Sequence, residues 1–129
     1  MQDVTEYKTR EEQAETLADI IAAALQTRIE ARRQATIAVP GGSTPEAFLT
    51  ALGKRTIDWS SVTVLPTDER WIPPANDRSN EGLIRRTLMA HGAKPQVFSF
   101  WHKGIAAAHA AAGLSIDLGP HLPLDVCVL

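Results

Sequence analysis

The stretch that most constrains this chain is residues 35–45, ATIAVPGGSTP. Ala35, Thr36, Ile37, Ala38 and Val39 run as a buried strand would, and the run stops at Pro40-Gly41-Gly42. Ser43-Thr44-Pro45 then opens a helix. Thr44 suits the N-cap, and Pro45 suits the first helical position, where its missing N–H is no loss. A strand, a glycine turn and a helix N-terminus in that order form an anion site. The glycines let a ligand reach the backbone, free N–H groups point at it, and the helix dipole favours negative charge. Ser43 and Thr44 add two hydroxyls, so the turn predicts a bound phosphate group. Taken alone it is equally consistent with a tight connection that binds nothing. It lacks the lysine of a P-loop and the G-x-G-x-x-G spacing.

The flanking sequence supplies a frame for that turn. Thr9-Arg10-Glu11-Glu12 fits a capping box ahead of a long helix. Ala14, Leu17, Ala18, Ile21, Ala24, Leu25 and Ile29 recur at helical spacing, and Arg32 and Arg33 suit the negative end of the dipole. This helix is read as a packing element without chemistry. After the strand at 35–39, a helix over 45–52 ends at Gly53. The turn Asp58-Trp59-Ser60-Ser61 precedes a second strand over 62–65. Strand, helix and strand make one βαβ unit, right-handed with parallel strands.

Residues 66–80, PTDERWIPPANDRSN, are too polar for a strand and too proline-rich for a helix. Ser79 caps a third helix with Leu83, Ile84, Leu88 and Met89 on one face, ending near His91-Gly92. A strand over 96–100, an alanine-rich helix over 105–112, a loop over 113–123 and a strand over 124–129 complete the pattern. Alternating strands and helices predict an α/β domain whose parallel sheet is covered on both faces. The 129 residues are one domain's worth of chain.

Composition narrows the function classes. A hydrophobic fraction of 44% with 22% charged residues is that of a soluble globular chain, and a net charge of −2 argues against a nucleic-acid surface. No apolar run approaches membrane-spanning length and no basic-plus-apolar leader opens the sequence, so the expectation is a soluble, cytoplasmic protein without a membrane partner. Cys127 cannot form an internal disulfide, and its apolar neighbours predict a buried, inert thiol. His91, His102, His109 and His121 show no metal-ligand spacing, so no metal site is expected. Trp59 and Trp71 are read as packing residues.

If the strands are parallel, the loops at 40–45 and 66–80 lie at one edge of the sheet, where α/β folds bind ligands. The first brings N–H donors and hydroxyls. The second brings Asp68, Glu69, Arg70, Asp77, Arg78, Ser79 and Asn80. An anion cradle beside a carboxylate and a guanidinium suits a phosphorylated, polyhydroxylated substrate. The bland reading of Asp68-Glu69-Arg70 is an ion-pair cluster on a solvated loop.

Together the two loops carry a resemblance. Pro40-Gly41-Gly42-Ser43-Thr44-Pro45, then Thr67-Asp68-Glu69-Arg70-Trp71-Ile72-Pro73, then Ser79-Asn80, is similar to the 6-phosphogluconolactonase family over most of the chain. The sister glucosamine-6-phosphate deaminases share the G-G-S-T-P turn but place tyrosine where this chain has Arg70. The resemblance implies a Rossmann-like three-layer α/β/α domain related to ribose-phosphate isomerases and deaminases. It implies hydrolysis of 6-phosphogluconolactone to 6-phosphogluconate in the pentose phosphate pathway, without metal or organic cofactor.

Carried over by position, Gly41, Gly42, Ser43 and Thr44 would line the sugar-phosphate site with Ser79 and Asn80. Asp68 and Arg70 would face the reacting end or the substrate's polar groups. The family's G-M-G-x-D-G-H-x-A-S-L-F-P motif, whose histidine is its favoured acid/base, follows a strand resembling 124–129. These residues therefore resemble the N-terminal half of a lactonase and by themselves are expected to be inactive. The alternatives are a glucosamine-6-phosphate deaminase or isomerase, and a non-catalytic sugar-phosphate-sensing effector module.

Overall fold

A computed structural model of the chain describes residues 9–41, 45–67, 69, 71–101, 103–104, 118–119 and 124–128. Helix α1 (Arg10–Arg32) starts at Thr9, whose Oγ1 accepts the Glu12 N–H at 3.1 Å, so the capping residue predicted from the sequence is in place. The helix ends on Arg33, a left-handed residue at φ 63° whose N–H returns to the Ile29 carbonyl at 2.7 Å. Ala14, Ala18, Leu25 and Ile29 are its buried stripe.

Strand β1 (Ala35–Val39) is buried at every position, as its run of small and β-branched residues requires. It leads to α2 (Glu46–Gly53), then a single 3-10 turn at Trp59–Ser61, then strand β2 (Val62–Pro66). In that turn the Ser60 and then the Ser61 hydroxyl hydrogen-bond the Asp58 carboxylate and hold it below its ordinary pKa. Trp59 is buried in the core with its Nε1–H donated to the Arg55 carbonyl at 3.2 Å, so the packing role expected for it stands. Helix α3 (Asn80–Thr87), strand β3 (Gln96–Val97) and strand β4 (Val126–Cys127) follow.

The sheet order is β3-β2-β1-β4, with every pair parallel. Ala35, Ile37 and Val39 of β1 stand in register with Val62, Val64 and Pro66 of β2. Ala35, Ile37, Val39, Val62 and Val64 form one core with Leu25 and Ile29 of α1, Phe48, Leu49 and Leu52 of α2, and Ile84 and Leu88 of the α3 segment. Each of the fully buried leucines contributes about 1.5–3 kcal/mol by leaving water. On the opposite face Thr36, Ala38, Thr63 and Leu65 are buried too. The helix expected there, over 105–112, lies outside the described residues.

Arg55, just past α2, reaches back to α1, donating to the carboxylates of Glu15 and, at 2.8 Å, Asp19. Asp125 fixes β4 against β1. Its Oδ2 accepts the Thr36 N–H at 2.8 Å and its own N–H donates to the Thr36 carbonyl at 3.0 Å. Arg28 and Arg32 lie near its other oxygen, at 3.8 and 3.7 Å.

Five expectations need correction. Gly53 closes α2 from within and not as a left-handed stop, because the next residue, Lys54, is right-handed at φ −84°. Gly53 is small for a different reason: a Cβ there would stand 2.0 Å from the Leu88 carbonyl oxygen, where α2 and α3 touch. Helix α3 ends at Thr87, and Gly92, at φ 96°, closes the turn that follows. Strand β4 covers Val126–Cys127 instead of 124–129, and strand β3 covers two residues instead of 96–100. The Phe98 N–H still reaches the Val64 carbonyl at 2.8 Å, but the next donor on that side of β2 would be Pro66, which has no N–H. Cys127 is exposed, not buried: strand alternation turns Val126 and Val128 toward the core and the thiol the other way.

Candidate functional site

The parallel register of β1 and β2 brings both predicted loops to the carboxyl end of the sheet. The Thr67 N–H donates to the Val39 carbonyl at 2.8 Å, so the second loop leaves the sheet beside the first. Farther on they meet directly. A Cβ on Gly41 would lie 1.9 Å from Asn80 Oδ1, and Gly41 has no positive φ to explain it. Gly41 is therefore glycine because the Asn80 side chain occupies the space beside it.

A cavity of about 720 Å³ opens on the glycine turn, with Gly41 in its wall. Its walls include Arg10, Glu11 and Leu17 of α1, Pro40 and Gly41 of the turn, Phe48 of α2, and Val128 just past β4, so the Arg10 cation stands beside one carboxylate. Arg10 was not legible as a site residue, since α1 reads as a packing helix. Its signal is a cation in a first turn, where the dipole disfavours one. A groove of about 470 Å³ between α1 and α2 is lined by Glu11, Glu15, Glu46 and Lys54, a net negative lining that suits an anion poorly.

The helix N-termini around the site differ in what fills them. At α3, Ser79 Oγ accepts the Gly82 N–H at 3.1 Å, and the Glu69 carboxylate accepts three more donors. Glu69 Oε1 takes the Asn80 N–H at 2.8 Å, while Oε2 takes the Glu81 N–H at 2.8 Å and the Ser79 hydroxyl at 3.1 Å. A carboxylate already sits where an external anion would bind. At α2, Pro45 has helical angles, φ −77° and ψ −4°, and its carbonyl accepts the Leu49 N–H at 2.9 Å. Among the described residues no side chain caps that helix.

Of the residues expected at the site, Gly41 and Asn80 are brought together, both half-buried. Ser79 is 1% exposed, with its hydroxyl engaged on both sides by the cap and by Glu69. Gly42, Ser43, Thr44, Asp68 and Arg70 lie outside the described residues. So do His102, His109 and His121, while His91 is exposed on the turn after α3. Among the described residues no cluster of His, Cys, Asp and Glu could hold a metal ion, and no helix is long and apolar enough to cross a membrane.

Comparison with known proteins bears directly on this arrangement. The sequence profile described as glucosamine-6-phosphate isomerases/6-phosphogluconolactonase matches residues 8–129. The chain belongs to this family. A 6-phosphogluconolactonase of Rhizobium meliloti (strain 1021) is 47% identical over 120 residues, which is 90% of this chain and 51% of that protein. One from Pseudomonas aeruginosa (strain PAO1) is 40% identical over 92% of this chain and 50% of its own length. The crystal structure of a 6-phosphogluconolactonase from Shewanella baltica OS155 superposes with a TM-score of 0.89 at 34% identity, covering 95% of this chain and 54% of that one. The chain thus spans about half the length of the curated relatives it matches. The fold is that of the glucosamine-6-phosphate isomerase/6-phosphogluconolactonase family, and the paired strand-end loops lie within the shared half.

Glu69 was named from the sequence as a residue of the second loop, but without a role. It stands in the acidic-basic run at 68–70, where the two flanking residues attracted the chemical assignments. Helix N-termini favour carboxylates, which is a usable signal, but ten residues separate Glu69 from the Ser79 hydroxyl it meets.

Proposed function

We propose that this chain is part of an enzyme that hydrolyses 6-phospho-D-glucono-1,5-lactone to 6-phospho-D-gluconate, in the oxidative branch of the pentose phosphate pathway. The observation that carries this reading is the meeting of Gly41 and Asn80 at the carboxyl edge of the sheet, in a chain 47% identical to a 6-phosphogluconolactonase. The phosphate takes the turn 41–44 at the start of α2, because the start of α3 already holds Glu69. Gly41 and Gly42 admit it to the backbone, Ser43 and Thr44 donate hydroxyls, and Arg10 adds positive charge at the cavity wall. Asn80 bonds the sugar's polar groups, and Ser79 supports it from behind as the helix cap.

The reaction needs no oxidant or reductant. Water adds to the lactone carbonyl as a base takes its proton, the ring C–O bond breaks as the base returns that proton to the ring oxygen, and the new carboxylic acid ionises, releasing a proton to water and leaving a carboxylate and the freed hydroxyl. Negative charge develops on the carbonyl oxygen during attack. Arg70 stabilises it or anchors the nascent carboxylate, and Asp68 orients Arg70 or a sugar hydroxyl. The family resemblance assigns the base to a histidine in the motif that follows a strand like β4. A small phosphorylated metabolite as substrate is consistent with a cytoplasmic enzyme, and neither nucleic acid nor membrane enters the reaction.

The test uses protein expressed from its complete reading frame. Freshly made lactone is followed by NMR beside buffer alone, because the lactone also opens spontaneously. Glucosamine 6-phosphate is assayed in parallel for ammonia release. Lactone loss well above the buffer rate with no ammonia is the expected result. Ammonia release would instead support deamination, and binding of sugar phosphates without turnover of either would support an effector module.

A further inference from the structure

We propose that Glu69 is a positioning residue that holds the two strand-end loops in their working arrangement. The proposal rests on the lactonase reading of the site. Glu69 sits between Asp68 and Arg70 in the chain, and its carboxylate is fastened to the first turn of α3 through three hydrogen bonds of 2.8, 2.8 and 3.1 Å. One of these fixes the backbone of Asn80, the residue whose side chain fills the space beside Gly41. A continuous path of contacts therefore runs from the segment carrying Asp68 and Arg70, through Glu69 and Asn80, to the glycine turn. Gly82 tightens the same junction. A Cβ there would come within 2.2 Å of the Pro74 carbonyl, so the loop lies directly against the first turn of α3.

The chemistry explains why the residue is glutamate. These three partners are donors, and they are divided between the two oxygens. A carboxylate accepts on both, whereas an amide would present an N–H₂ group to at least one donor. Aspartate keeps both oxygens but is shorter by one methylene. The negative charge also meets the positive end of the α3 dipole, so the clamp is stronger than neutral hydrogen bonds would make it. Two tethers on adjacent backbone N–H groups also resist rotation of the loop.

The experiment compares Glu69→Gln, Glu69→Asp and Leu25→Ala in the enzyme from the complete reading frame. Leu25 is a fully buried core residue of α1 and serves as a control for lost stability alone. Each variant is assayed well below its melting temperature, with rates normalised to folded protein. Glu69→Gln should lower kcat at least tenfold, Glu69→Asp should fall between it and the parent, and Leu25→Ala should melt earlier with kcat and KM unchanged. Hydrogen exchange at the Asn80 and Glu81 amides should accelerate in Glu69→Gln and not in Leu25→Ala.

Parental kcat and KM in folded Glu69→Gln would overturn the proposal. Should that variant not fold, parental kinetics in Glu69→Asp with faster exchange at the two amides would overturn it equally. If the parent enzyme itself leaves the lactone untouched, the functional reading fails, and the clamp is judged on amide exchange. Faster exchange at Asn80 and Glu81 in either Glu69 variant then supports it, and parental exchange refutes it.

Discussion

Replacing Gly41 by alanine is expected to cost the proposed lactonase activity about a hundredfold in kcat/KM while leaving stability almost unchanged. The new Cβ would fall 1.9 Å from Asn80 Oδ1 and 2.3 Å from its Cγ, far inside contact distance. What it meets is the end of a short side chain, and Asn80 can rotate away at little cost to folding. Rotation takes the Asn80 amide out of the place it holds between the loops, and the methyl group then stands beside the turn proposed for the phosphate. Displacing a binding group by about an ångström is enough for a loss near 10²-fold, or about 2.7 kcal/mol of transition-state stabilisation. The measurement is kcat/KM of Gly41→Ala beside a urea denaturation curve. A lost midpoint with normal kinetics would show that the glycine serves packing only.

Gly53→Ala is expected to do the reverse. There the added Cβ would stand 2.0 Å from the Leu88 carbonyl oxygen and 2.9 Å from its carbon, both backbone atoms that cannot swing aside. Alanine is the better helix former by about 1 kcal/mol, which favours the substitution in isolation. Overpacking of about 3 kcal/mol wins, because α2 and α3 must separate and loosen the layer holding Leu49, Leu52, Ile84 and Leu88. A net loss of about 2 kcal/mol should lower the urea midpoint by about 1 M with an unchanged slope. Normal kcat in the remaining folded enzyme is expected, since Gly53 lies in the helix interface and not at the strand ends.

These two glycines also show what the sequence could and could not disclose. The glycine turn after β1 was legible because a β-branched run, two glycines and a Ser-Thr-Pro start follow one another within eleven residues. The two central strands were legible for the same reason: their burial is written in consecutive apolar side chains. Gly53, by contrast, has the sequence appearance of a helix stop, and only the approach of Leu88, thirty-five residues away, reveals a packing glycine. Strand β3 was overextended because hydrophobicity persists through Phe98 and Phe100 while the ladder ends for want of an N–H on Pro66. Cys127 misled in a related way, because an apolar run does not say which face of an edge strand is covered. Glu69 was given no role from the sequence since its partners are distant in the chain, and the roles proposed for Asp68 and Arg70 rest on family resemblance alone.

The most direct measurement is a crystal structure of the enzyme from its complete reading frame with 6-phosphogluconate bound. The phosphate group should lie on the backbone N–H groups of residues 41–44 at the start of α2, with the carboxylate end toward Asp68 and Arg70 and the Glu69 carboxylate still seated on Asn80 and Glu81. A phosphate group found at the start of α3 in place of Glu69, or a sugar phosphate bound away from the carboxyl edge of the sheet, would contradict this assignment.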